Sequence, residues 1–127
     1  MANKLWTFIN KLDKSTEAGK VNWEQTAEDG VYQASFPDYS VRIFTREGVE
    51  GGSLDYVLQI LDQGATVIEE TSDPELARES DVGTQESFTR MRSLYKNARS
   101  RAMGTAQAIE KLMKSLNALD DDDNVPF

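Results

Sequence analysis

Carboxylates are the most plentiful reactive groups in this sequence, 22 Asp and Glu against 14 Lys and Arg, with no Cys and no His. Without imidazole there is no Ser-His-Asp triad, no Cys-His pair, no His metal ligand and no side chain that titrates near neutrality unaided. Without Cys there are no disulfides, zinc thiolates or thiol nucleophiles. Asp55, Asp62, Glu69 and Glu70 remain for acid–base work, but a working pair needs surroundings that drive its two pKa values apart. Alternating charge on a half-exposed strand is ordinarily a solvated face, so no catalytic residue and no cofactor is expected. Two further motifs fail on spacing. The stretch "EGVEGGS" at 47–53 has neither the glycine spacing of a phosphate loop nor its Lys-Ser or Lys-Thr, and fits a hairpin connection better. Asp120, Asp122 and Asn124 follow the order of a calcium loop, yet Val125 stands where that loop needs glycine and no glutamate follows at the twelfth position. No metal site is assigned.

Two charged features are left. Arg90, Arg92, Lys96, Arg99 and Arg101 line a late helical stretch and offer an anion-binding face. The competing reading is that they neutralise the molecule's own acidic sheet region, since residues 24–82 carry a net -11 and residues 84–118 a net +5. The second feature is the ending, Asp120, Asp121, Asp122, Asp123, Asn124, Val125, Pro126, Phe127. A terminal Phe combines a ring for an apolar pocket with a carboxylate for a basic rim. Pro126 restricts Val125 to extended geometry, which lowers the entropy lost on docking. The aspartates would speed association with a basic partner and make it salt-sensitive. A solvating tail with an apolar finish is the plain alternative, and a fold-back of the tail onto the basic helix is a third.

These eight residues resemble the acidic C-terminal tip of bacterial single-stranded DNA-binding proteins, which ends in aspartates, an aliphatic residue, proline and phenylalanine. The resemblance implies Phe127 as the anchor of a docking peptide, Pro126 and Val125 as its apolar support, and Asp120 to Asp123 as its electrostatic part. It implies a partner protein with a basic, apolar-pocketed groove, of the kind that processes nucleic acid. DNA binding is not implied, because Asn124 interrupts the acidic run, the family's long linker is missing and the body does not read as an oligonucleotide-binding barrel. Within the body, "STEAGKVNW" and "LYKNARSRAMG" are similar to segments of uncharacterised small bacterial α+β proteins, a likeness that implies no activity.

The elements that must position these groups follow from periodicity. Leu5, Phe8, Ile9 and Leu12 recur at helical spacing after Asn3, a candidate cap, and predict a helix of about three turns. The period then changes to two. "KVNWEQ", "GVYQASFP", "YSVRIFTRE", "LDYVLQILD" and "ATVIEET" are short, rich in aromatic and β-branched residues, and separated by turn signals. Gaps this tight favour an antiparallel meander, since a parallel pair needs a crossover. Helices on one face and partial shielding of the other are expected. "SDPELARESDVG" is a loop or short helix and the expected mobile connection. Phe88, Met91, Tyr95, Ala98 and Ala102 form the stripe of a long helix from Thr84, Gly104 stops it, and a last helix with Ile109, Leu112, Met113 and Leu116 runs to about Asn117.

The fold class predicted is therefore α+β, with an N-terminal helix, a five-stranded antiparallel meander sheet packed against terminal helices, two C-terminal helices and a short disordered acidic tail. One domain spans 1–118 and the tail 119–127, a size at which a single core suffices. No apolar run approaches the roughly 18 residues of a membrane span, and the start is too polar for a secretory signal, so a cytoplasmic location without membrane contact is expected. The net charge of -8 argues against direct nucleic-acid binding. The leading functional expectation is a non-enzymatic adaptor or modulator that docks a partner through its tail. Alternatives are a small-ligand or enzymatic domain with an incidental tail, and an acidic nucleic-acid mimic or phage- or defence-associated inhibitor. A homodimer is among the oligomeric states left open.

Overall fold

The computed structural model describes residues 2–48 and 53–121. Its elements are helix α1 (Ala2–Glu17), strands β1 (Trp23–Gln25), β2 (Tyr32–Ser35), β3 (Ser40–Glu47), β4 (Leu54–Leu61) and β5 (Val67–Ser72), then helices α2 (Asp73–Ser80), α3 (Thr84–Met103) and α4 (Thr105–Asp121). The strands pair in sequence order and always antiparallel, which is the meander predicted from their short connections. Glu47 pairs with Leu54, and Gly48 N donates to Ser53 O at 2.9 Å, so β3 and β4 are antiparallel neighbours up to the glycine-rich stretch, of which residues 49–52 lie outside the described residues.

Strand alternation sorts the sheet into two faces. Trp23, Tyr32, Ala34, Val41, Ile43 and Leu58 turn inward and are buried against Ile9 and Leu12 of α1 and Met91, Leu94 and Ala98 of α3. The outer face carries a row that crosses all five strands in register: Glu24, Gln33, Arg42, Gln59 and Glu70. Arg42 Nε donates to Gln33 Oε1 at 2.7 Å and Gln59 Nε2 to Glu70 Oε1 at 2.8 Å, so side-chain hydrogen bonds tie neighbouring strands where no helix covers them. Val57 and Leu61 are nonetheless fully buried on this side, which is the partial shielding expected.

The helices depart from the sequence reading in detail. Helix α1 has 16 residues, more than the three turns expected, and starts one residue before the Asn3 cap. "DPELARES" resolves into helix α2, opened by Ser72, whose side chain accepts from Glu75 N, and closed by Asp81 in the left-handed region. Leu76 and Ala77 bury its inner side. On α3 the deepest residues are Ser87, Met91, Leu94 and Ala98, with Tyr95 and Ala102 packed beside them and the Phe88 ring against Tyr56. The helix lies between α1 and the sheet, so its buried arc is wider than one stripe, and Leu94 sits at its centre.

Gly104 ends α3 at φ +67°, a left-handed conformation that glycine adopts without strain. Helix α4 then runs four residues beyond the predicted Asn117, and among the described residues it packs on no element but α3. This corrects the expectation that both terminal helices pack on the sheet. The apolar periodicity of α4 was read correctly, but among the described residues no element beyond α3 covers it.

Candidate functional site

The basic residues of α3 do not form one face. Arg90, Ser93 and Asn97 sit three and four residues apart, which aims them together at α1. There they surround Asp13, whose side chain is 1% exposed. Arg90 Nη1 and Ser93 Oγ donate to Asp13 Oδ2, and Asn97 Nδ2 donates to Asp13 Oδ1, all at 2.9 Å. Three donors on one carboxylate are what its burial requires.

Arg101, though exposed, also reaches α1. Its Nε donates to Thr16 O at 3.1 Å and its Nη2 to Glu17 O at 2.7 Å, so a cation closes the carbonyl end of α1. Arg90 is therefore neutralised by Asp13 of α1 and Arg101 is held by backbone carbonyls of α1, so for these two arginines the expected pairing with the acidic sheet is corrected. What stays on the solvent side is Arg92, Lys96 and Arg99, spaced four and three apart, exposed, and without an ion pair among the described residues.

The four carboxylates singled out for acid–base work are separated. Asp62 Oδ1 accepts from Gly64 N and Thr66 N at 2.9 Å each and shapes the β4–β5 turn. Glu69 lies on the inner side of β5 and Glu70 on the outer, by strand alternation. Gln59 donating to Glu70, followed by the Arg46 guanidinium 3.2 Å away, holds the Glu70 carboxyl below its usual range. Asp55 stands across the ladder from Arg46. Among the described residues no group of three His, Cys, Asp or Glu could hold a metal ion. Tyr95 makes tilted ring contacts with Tyr32 at 5.7 Å and Tyr56 at 5.5 Å and is therefore core.

What sequence reasoning missed is not α4 itself but its exposure. Every residue from Ala106 to Asp120 is exposed, including Ile109 (53%), Leu112 (63%), Met113 (57%), Leu116 (59%) and Leu119 (49%). Such a row on one helix face is unlike the scattered apolar residues of an ordinary surface. An apolar groove is lined by Leu5 and Phe8 of α1, Ile60 of β4 and Ile68 of β5, and flanked by Lys4 and Glu69.

Of the expected docking peptide, Asp120 is exposed on the last turn of α4 and Asp121 ends the helix. Asp122, Asp123, Val125, Pro126 and Phe127 lie outside the described residues. The alternative fold-back of the tail onto the basic helix likewise rests on residues outside the described ones. No family model, no curated protein and no solved structure matches the chain. No helix among the described residues is long and apolar enough to cross a membrane.

Proposed function

We propose that this chain is a non-enzymatic cytoplasmic adaptor that docks a bacterial partner protein through Asp120 to Phe127. The observation that carries the reading is the exposure of α4: among the described residues this helix packs on α3 alone, and the acidic peptide follows it in sequence. Phe127 supplies the ring and carboxylate, Val125 and Pro126 its apolar support, and the aspartates the attraction to a basic rim. The resemblance of these residues to the tip of single-stranded DNA-binding proteins makes a nucleic-acid-processing enzyme the partner class.

The test is capture from bacterial lysate by the intact protein and by a form lacking only Phe127, followed by elution with a synthetic peptide of residues 120–127. A partner that binds the intact protein, is lost on removing Phe127 and is released by the peptide supports docking. Capture that is indifferent to Phe127 and to the peptide refutes it. The competing readings gain little from the geometry, because the acidic residues of the sheet are interleaved with Arg42, Arg46, Gln33 and Gln59 and hydrogen-bonded to them in part.

A further inference from the structure

Helix α4 repeats its large apolar residues at Ile109, Leu112, Leu116 and Leu119, a three-four-three spacing that makes a seam along one face. The spacing is symmetric about position 114. Two copies laid antiparallel therefore oppose Ile109 to Leu119 and Leu112 to Leu116, and each pairing occurs twice, as a two-fold axis requires. The positions flanking the seam are Ala106, Ala108, Met113 and Ser115, which are small or uncharged and permit close approach, and Asp120 at its C-terminal end.

Charge selects the antiparallel sense. Helix α4 has no acidic residue in its first turn and no basic residue in its last, while Asp120 and Asp121 sit at its C-terminal end, where the helix dipole disfavours them. At the other end, the N–H groups from Thr105 to Gln107 precede the first helical bond, Ala108 N to Gly104 O at 3.0 Å. An antiparallel partner places Asp120 of one copy beside Ala106 and Ala108 of the other, next to that positive opening turn. A parallel partner would set two runs of aspartates side by side. We infer that α4 is a self-association element that pairs antiparallel with α4 of a second copy of this chain.

Two helices of about 25 Å bury less than a standard interface, so the pairing depends on concentration, with dissociation in about the micromolar to hundred-micromolar range. Sedimentation of the full chain over rising concentration tests it. The expected result is a monomer–dimer equilibrium that the double substitution Leu112→Asp and Leu116→Asp weakens by about 100-fold or more, with the melting temperature of the dilute protein unchanged because neither residue packs on the body.

Geometry is read separately by single cysteines, which are unambiguous in a chain that has none. Ser115 flanks the two-fold axis, so Ser115→Cys should form a disulfide-linked dimer on mild oxidation much faster than the outward-facing Lys114→Cys. A protein that stays monomeric to about 1 mM overturns the inference. So does a dimer in which the two cysteine variants cross-link equally, since α4 would then be seated elsewhere, for instance in the Leu5–Phe8–Ile60 groove of the second copy.

Discussion

Asp13 shows how much a single buried charge constrains this molecule. Its carboxylate takes three donors from one helix and sits 77 residues from Arg90 in sequence, so it pins α3 to α1. Asp13→Ala strands those donors and leaves Arg90, whose Nε is already buried without a partner among the described residues, short of its counter-charge. A loss of about 3 kcal/mol is expected from urea denaturation, and a loss under about 1 kcal/mol would mean that Arg90 simply swings into water. Asp73 acts in the opposite sense. Burial pushes its carboxyl above the ordinary value of 3.8, against the lowering effect of Tyr56 N, which donates to its Oδ1 at 2.8 Å. A carboxyl raised in the folded state binds its proton more readily there than in the unfolded chain. Its contribution therefore falls as pH rises from 3.8 through the raised value, and a penalty persists above that. Asp73→Asn keeps an acceptor for Tyr56 N and loses the titration, so the stability gap between variant and parent should move in the variant's favour from pH 3 to pH 7. An unchanged gap would show that Asp73 is solvated in solution.

Neighbouring helices make the sharpest contrast at the level of elements. Leu94 on α3 is fully buried and Leu112 on α4 is 63% exposed, although each occupies the apolar side of its helix. The same truncation should therefore differ in outcome: Leu94→Ala costs about 3 kcal/mol, and Leu112→Ala stays within about 0.5 kcal/mol in dilute protein. Equal losses in thermal melts would place α4 on the body. This pair also marks where the sequence was informative. Five strands and their order were legible because a period of two, bounded by tight turns, admits few other pairings. The long α3 was legible from its stripe, but its centre was misplaced, because Phe88 and Tyr95 are larger than Leu94 and flank the buried line. The Asp13 site was hidden for a different reason. Arg90, Ser93 and Asn97 share a face by spacing alone, yet nothing local ties them to a carboxylate on the first helix. For α4 the apolar period was plain, and periodicity states that a face wants cover without saying whether the chain itself provides it.

Taken whole, the molecule divides into a body that accounts for its stability and an arm that does not. The buried cluster draws on α1, α3 and the sheet together with Leu76 of α2, and on no residue beyond Ala98, with Ala102 packed against its edge. The capping of α1 by Arg101 lies within the same boundary. Ending the chain after Gly104 would remove α4 and the acidic residues that follow while leaving every one of these contacts in place. Residues 105–127 also carry a net -3, from two lysines, one glutamate and four aspartates, so the shortened protein is less acidic than the parent by that amount. Little electrostatic stabilisation is lost with them, because among the described residues none of these charges is paired with the body. The melting temperature of a 1–104 protein should thus lie within about 4 °C of the parent at low concentration. Its helical circular-dichroism signal should fall by the share that α4 represents. A drop of ten degrees or more would mean that α4 folds over the body in solution. The helix would then serve as a cover for the α1–β5 groove, and its exposed stripe would be one state of a hinge at Gly104.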